Sequence, residues 1–135
     1  MSVVSHLING ELVESQRTLD VTNPSTGKVI RHVADASAAD VERAIAAAQA
    51  AFPAWRDTPP AKRAQVMYRF KQLLEEHADR LVQLVSEEHG KTVEDAMGEL
   101  KRGIENVEYA CGVPELLKGE YPHNVGPGID AWSNF

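Results

Sequence analysis

The spacing of apolar residues changes once along this 135-residue chain, close to Ala34. Before that point apolar and polar residues alternate in short runs, which is typical of half-buried strands. After it, apolar residues recur every three or four positions, which is the period of one helix face. The change predicts a β-hairpin region over residues 1–33 and a helical region over residues 34–119. Residues 120–135 are predicted to form a loop and the start of a strand.

Two turn signals lie within the strand region. Asn9-Gly10 is the dipeptide that best tolerates the positive φ angles of a type I′ hairpin turn. In Asn23–Gly27, Pro24 presets φ and Gly27 permits a left-handed exit from the turn. The strands predicted on either side of these turns are His6–Ile8 with Glu11–Val13, and Thr18–Thr22 with Lys28–Val33.

Three long helices are predicted. Ser37 can cap the first, with Asp40 near its positive end, and Pro53 predicts a last turn that is distorted or already over. The second is predicted over Pro60–His89 and is ended by Gly90. The third, capped by Thr92, is predicted to be interrupted at Pro114 and to end at Gly119. Their apolar stripes are Val41, Ala44, Ile45, Ala48, Phe52 and Trp55; Met67, Phe70, Leu74, Leu81, Leu84 and Val85; and Val93, Met97, Leu100, Ile104, Val107 and Cys111.

Charge and cysteine content argue against several classes of function. The net charge of −6 leaves no excess of cations to neutralise a nucleic acid or an anionic membrane. One cysteine excludes an internal disulfide and fits a reducing compartment. The N-terminus lacks the basic start and long apolar core of a signal peptide, and no apolar run approaches the ~20 residues that span a membrane. We therefore predict a cytoplasmic protein with no membrane or nucleic-acid partner.

Most residues that could carry chemistry have a structural interpretation. Cys111 lies on an apolar helix stripe, without the cation, base or helix N-terminus that activates a thiol. Glu75-Glu76 and Glu87-Glu88 are adjacent on a helix and do not face one another, so they are predicted to be a solvated surface. The histidines lack the spacing of a zinc site; they are His6, His32, His77, His89 and His123.

Arg102 is the candidate binding residue. Its planar guanidinium fits a carboxylate, and Gly98 and Gly103 remove side chains nearby, so a ligand can approach the helix closely. From the spacing alone, a surface salt bridge is the favoured interpretation and a ligand contact is the second.

Several segments resemble the N-terminal region of the aldehyde dehydrogenase superfamily. They are Leu7–Val13, Val21–Ile30, Ala46–Trp55 and Glu88–Thr92. A narrower block, Gly103–Pro114, resembles the CoA-acylating methylmalonate-semialdehyde dehydrogenase branch. The resemblance covers essentially the whole chain but only the first quarter of a family member. It implies an α/β, aldehyde dehydrogenase-like fold, of which N-terminal β-hairpins, three long α-helices and a terminal strand would be present.

The resemblance implies an activity for the full-length protein. Family members oxidise an aldehyde through a cysteine thiohemiacetal, pass a hydride to NAD and form a thioester. In this branch CoA accepts the acyl group, giving propionyl-CoA or acetyl-CoA with loss of carbon dioxide, in valine, pyrimidine and inositol breakdown. The arginine that matches Arg102 is expected to hold the substrate carboxylate, while NAD and CoA are expected for the full-length family.

The resemblance also indicates what this chain lacks. The family's nucleophilic cysteine, general-base glutamate, oxyanion-hole asparagine and NAD-contacting residues all match positions beyond Phe135, and Cys111 matches none of them. We therefore expect no catalytic, cofactor-binding or metal residue here, and no activity from the chain alone. Residues 34–119 would be the helical part of an incomplete NAD-binding domain, and residues 120–135 would begin an oligomerisation strand.

Two interpretations follow. The first is an enzyme fragment, and the second is a standalone helical module for oligomerisation or partner binding. Exposed apolar stripes and a homo-oligomer, formed through the C-terminal strand or the helix faces, are expected. A module would be expected to end in a cap or polar tail, so the ending Trp132-Ser-Asn-Phe135 favours the fragment.

Overall fold

The computed structural model describes residues 2–134, in which all strands precede all helices. The predicted order, with N-terminal β-hairpins followed by α-helices, is confirmed. The strands are β1 (Val3–Val4), β2 (His6–Ile8), β3 (Glu11–Val13), β4 (Thr18–Asn23) and β5 (Lys28–Ala34). The helices are α1 (Ala38–Asp57), α2 (Pro60–Glu76), α3 (Ala78–His89), α4 (Val93–Cys111) and α5 (Val113–Leu116).

The chain folds into two compact units. The first comprises the chain up to Asp57 together with His77–Leu100, and the second comprises Thr58–Glu76 together with the chain from Lys101 onward. No helix formed by residues 2–134 is long and apolar enough to cross a membrane.

The first unit contains both predicted hairpins. Strands β2 and β3 pair antiparallel around Asn9 and Gly10, whose φ angles of 52° and 80° are both positive, as a type I′ turn requires. Strands β4 and β5 also pair antiparallel, and Gly27 leaves their turn with a φ of 68°. The sequence pattern missed β1, a two-residue strand parallel to β5, because two residues are too few to show alternation.

Helix α1 begins as predicted and ends later than predicted. The Ser37 hydroxyl accepts the Asp40 N–H at 3.2 Å, and Asp40 accepts the Ser37 N–H at 3.0 Å, a reciprocal capping arrangement. Of the two predicted outcomes at Pro53, an end of the helix is wrong, since the helix continues to Asp57. The proline leaves the carbonyl of Gln49 without its helical partner, and this residue is exposed, so water can satisfy the oxygen.

The single helix predicted over Pro60–His89 is two helices, and that prediction is wrong. The break falls at His77, which leaves helical geometry with φ −108° and ψ 15° and stands at the start of α3. The predicted stop at Gly90 is confirmed. Gly90 takes a left-handed φ of 80°, and its N–H donates to the Ser86 carbonyl at 2.9 Å.

The first unit is held together where the β4–β5 turn meets the end of α3. The Arg31 guanidinium on β5 donates to Glu87 at 2.7 Å and to Glu88 at 2.5 Å. A Cβ placed on Gly90 would lie 2.8 Å from Cγ of Pro24, so the turn packs directly against the Gly90 backbone. The unit's buried residues include Val82 and Ala96.

The C-terminal segment forms a loop instead of the predicted strand. In the described residues after α5, backbone pairing is irregular: Ile129 N–H donates to Gly126 O, and Ser133 N–H donates to Glu120 O at 2.9 Å. Asp130 accepts hydrogen bonds from the Asn124 N–H and the Tyr121 hydroxyl. The prediction of a terminal strand is therefore wrong for these residues, because the backbone bonds within its own loop and has no strand to pair with. Phe135 lies outside the described residues.

Candidate functional site

Arg102 lies in the middle of α4 with its side chain exposed. Its backbone carbonyl accepts a hydrogen bond from Nδ2 of Asn106 at 2.8 Å. No residue within 2–134 forms a hydrogen bond or ion pair with the guanidinium. The surface salt bridge favoured by the sequence spacing is therefore not formed within the described chain, and the donors of this arginine remain available to a ligand.

The surroundings of Arg102 are open on the helix surface. A Cβ added at Gly103, the residue next to Arg102, would meet no described atom within 4 Å. Gly103 therefore adds no side chain that would hinder an anion beside the guanidinium.

The chemistry available at this position is recognition of an anion. A guanidinium donates two parallel hydrogen bonds to a carboxylate and stays charged at every physiological pH, so it binds and orients but does not transfer protons. Glu105, one turn further along α4, is also exposed.

Cys111 is buried at the end of α4. Only 5% of the residue is exposed, and its Sγ lies 3.4 Å from the Val107 carbonyl, which accepts its hydrogen bond. A nucleophilic thiol needs access to substrate and an activating group. The burial of Cys111 agrees with a structural interpretation.

The acidic pairs are bound to cations. Arg31 contacts both Glu87 and Glu88, and its side chain is only 19% exposed. In the second unit Glu75 accepts from Lys71 at 2.7 Å. The sequence pattern predicts that Glu87 and Glu88 form a solvated surface. It does not indicate their ion pairs with Arg31, because Arg31 is more than fifty positions away in the sequence. Residues 2–134 contain no group of three His, Cys, Asp or Glu that could hold a metal ion.

Comparison with known proteins places the chain in a family. The model of the aldehyde dehydrogenase family matches residues 12–131. The chain belongs to the aldehyde dehydrogenase family. The match covers nearly the whole chain and includes Arg102, and it confirms the resemblance inferred from the sequence.

Two relatives indicate which members of the aldehyde dehydrogenase family this chain resembles. The chain is 66% identical over 136 residues to a malonate-semialdehyde dehydrogenase of Pseudomonas aeruginosa. The aligned region covers 100% of this chain and 27% of that protein. Its structure matches a methylmalonate-semialdehyde dehydrogenase of Oceanimonas doudoroffii with a TM-score of 0.89 and 62% identity, over 100% of this chain and 28% of the other.

A second solved structure adds a cofactor to the comparison. A protein of Sinorhizobium meliloti, described as a methylmalonate-semialdehyde dehydrogenase complexed with NAD, matches with a TM-score of 0.85 and 42% identity over 98% of this chain and 27% of its own. The present chain thus spans little more than a quarter of these relatives. It is similar to the N-terminal portion of aldehyde dehydrogenases, and most like the semialdehyde dehydrogenase branch, as predicted.

Proposed function

We propose that this chain is the N-terminal part of a methylmalonate- or malonate-semialdehyde dehydrogenase of the acylating type. The whole protein would oxidise the semialdehyde with NAD and transfer the acyl group to CoA, giving propionyl-CoA or acetyl-CoA. The observation that carries this proposal is the high identity to the Pseudomonas relative along the entire chain. We infer a cytoplasmic homo-oligomer, which the single cysteine and the exposed apolar helix faces support.

Within this proposal Arg102 holds the carboxylate that distinguishes a semialdehyde acid from a simple aldehyde. Arg102 is exposed, its guanidinium is bonded to no described residue, and the neighbouring Gly103 adds no side chain. A hydrogen bond to a charged group contributes about 1.5–3 kcal/mol. Arg102 is therefore a binding and orienting residue, and the chemistry of oxidation belongs to other groups.

The cofactors belong to the rest of the whole protein. All strands of residues 2–134 precede the helices, so this part contains no strand–helix–strand unit of the kind that holds a dinucleotide. The described residues therefore do not fit NAD by themselves. We infer that residues 34–119 are the helical part of the NAD-binding domain, that residues 120–135 lead to the oligomerisation strand, and that the chain alone has no turnover.

The alternative function is a standalone module for oligomerisation or partner binding. The large apolar side chains exposed on its helices favour this candidate, because such surfaces are common at protein interfaces. A compact oligomer with a cooperative thermal transition would support the module. A mixture of aggregates without such a transition would support the fragment.

The test of the enzymatic proposal uses a joined protein, defined as this chain fused to the part of the Pseudomonas aeruginosa relative that follows the matched region. NADH formation is measured with malonate semialdehyde and with propanal, with and without CoA. We expect Arg102→Gln to raise KM for the semialdehyde by roughly 10- to 100-fold, the equivalent of a lost charged hydrogen bond. The rate with propanal, which has no carboxylate, should change little.

Lys101→Gln is the matched control, because Lys101 is the adjacent exposed cation on the same helix. It should change neither KM by more than about twofold, since it removes only a screened surface charge. Equal losses for semialdehyde and propanal in Arg102→Gln, or equal effects of the two variants, would overturn the role of Arg102. Absence of CoA-dependent product would overturn the acylating reaction.

A further inference from the structure

The tip of the β2–β3 hairpin holds an asparagine followed by a glycine, Asn9-Gly10, and both residues are exposed. Within residues 2–134, no group forms a hydrogen bond with the Asn9 carboxamide or accepts one from the Gly10 N–H. A Cβ added at Gly10 would meet no described atom within 4 Å. The carboxamide and the backbone nitrogen that follows it are therefore both open to water and to each other.

We propose that Asn9 is a site of spontaneous deamidation in the folded protein. The Gly10 nitrogen, after losing its proton to hydroxide, attacks Cγ of Asn9 and closes a five-membered succinimide ring. The bond from Cγ to the side-chain nitrogen breaks, and that nitrogen takes up a proton and leaves as ammonia. Water then opens the ring at one of its two carbonyls, which leaves aspartate or isoaspartate. Water is the only reactant consumed, and nothing is oxidised or reduced.

Three other asparagines lack the features that favour this reaction at Asn9. Pro24 follows Asn23 and has no N–H, so its nitrogen cannot attack. Asn106 and Asn124 each precede a valine, whose branched Cβ crowds the attacking nitrogen. The Asn106 carboxamide also donates to the Arg102 carbonyl at 2.8 Å, and that of Asn124 accepts a backbone N–H at 3.3 Å. The reaction should therefore be selective for Asn9.

The β2–β3 hairpin is weak enough to let the reaction proceed. The turn holds Asn9 at a φ of 52°, and ring closure needs its backbone and side chain to rotate. Strands β2 and β3 form a two-stranded sheet of their own, with three residue pairs. A two-stranded hairpin is marginally stable, and such an element opens locally while the rest of a protein stays folded. Asn9 can therefore reach the reactive geometry without global unfolding.

Deamidation would change both the charge and the backbone of the hairpin tip. Asn9 lines a groove together with Glu11 and with Arg43 of α1, so the new carboxylate would alter the balance of charge there. Isoaspartate also adds a methylene group to the main chain of the turn, which disturbs the pairing of Ile8 with Glu11. Ile8 is only 9% exposed, so the change reaches a buried residue of the first unit.

The experiment follows the joined protein defined above during incubation at mildly alkaline pH. Deamidation of each asparagine peptide is measured by mass spectrometry, as the gain in mass when the amide becomes a carboxylic acid. Liquid chromatography separates the isoaspartate peptide from the aspartate peptide. Gly10→Ala is the matched variant. Its methyl group crowds the attacking nitrogen, whereas the φ of 80° at this position means that alanine loosens the hairpin.

We expect Asn9 to deamidate roughly tenfold faster than Asn106 or Asn124, with isoaspartate among its products, and Gly10→Ala to slow the reaction by roughly tenfold. Equal rates at the three asparagines overturn the proposal. A product at Asn9 without isoaspartate overturns the succinimide route. An unchanged or faster rate in Gly10→Ala overturns the role of Gly10. Mass is read without NADH formation, so these outcomes are independent of the enzymatic proposal.

Discussion

Replacement of Gly90 by alanine tests the contact that joins the hairpin region to the helices of the first unit. Gly90 ends α3 in the left-handed region, with a φ of 80°. Its added methyl group would lie 2.8 Å from Cγ of Pro24 and 3.3 Å from Oγ of Ser25. Carbon atoms in contact normally lie about 3.5–4.0 Å apart. The stiff proline ring cannot turn aside, so the β4–β5 turn must shift.

The expected cost has two parts. A non-glycine residue in left-handed geometry costs about 1–2 kcal/mol. Forcing an extra methyl group into a packed contact typically adds about 1–3 kcal/mol. Gly90→Ala should therefore lower the free energy of unfolding by about 2–5 kcal/mol. Gly27→Ala measures the backbone cost alone. Gly27 has a φ of 68°, but a Cβ there would meet no described atom within 4 Å.

The assay is urea unfolding of the joined protein, followed by far-UV circular dichroism and compared with the unsubstituted protein. Gly90→Ala should lower the urea midpoint, and Gly27→Ala should lower it by roughly half as much, in the ratio of the two expected costs. Pro24→Ala combined with Gly90→Ala should recover part of the loss, since it removes the ring atom that the methyl group meets. Equal midpoints for Gly90→Ala and Gly27→Ala would refute the packing argument and leave only the backbone cost.

Two further predictions concern charged groups of the first unit. Arg31→Met should lower the free energy of unfolding in urea by about 1 kcal/mol, because it leaves Glu87 and Glu88 unpaired beside a largely buried side chain. Arg17→Met removes a side chain that is 70% exposed, so it should lower this free energy by less than about 0.5 kcal/mol. Equal losses for the two variants would contradict this prediction. Hydrogen bonds from Ser37 lower the pKa of Asp40, so its stabilising contribution is present above the unfolded pKa and is lost as pH falls through the folded one. Ser37→Ala should raise the Asp40 pKa towards its ordinary value in an NMR titration, and an unchanged pKa would refute the cap.

The features that the sequence predicted correctly depend on neighbouring residues. The turn at Asn9-Gly10, the cap by Ser37 and the stop at Gly90 each follow from the conformational limits of one or two residues. These limits act within one turn of the chain, so no knowledge of the tertiary fold is needed. Thr92 is a further case, since its hydroxyl accepts the Asp95 N–H at 3.2 Å, as a cap should.

The features that the sequence missed depend on distant partners. The apolar period continues in phase through His77, so a break of one residue between α2 and α3 leaves no trace in the pattern. The break coincides with the point at which the chain passes from the second unit to the first. The strand predicted after Gly128 shows the opposite error, because alternation indicates a strand only where another strand is available to pair with it.

Arg102 illustrates the same limit for the candidate site. Its position on a helix followed from the pattern, and the structure shows that its guanidinium is bonded to no residue within 2–134. In the whole protein that we propose, the surroundings of the guanidinium would include residues beyond this chain. Sequence reasoning could therefore propose the residue and its ligand chemistry, but it could not derive the rest of the pocket.

The segments that carry the family resemblance have a physical role separate from catalysis. Two of them, Val21–Ile30 and Glu88–Thr92, meet at the contact between Pro24 and Gly90. Gly90 has a positive φ and no Cβ, so its backbone can lie directly against the proline turn. Both motifs take part in packing within the first unit, so they identify the fold and not the substrate. The substrate proposal depends on Arg102, so the two variants should have different effects. Arg102→Gln should weaken semialdehyde binding without loss of stability. Gly90→Ala should lower stability without a change in semialdehyde binding.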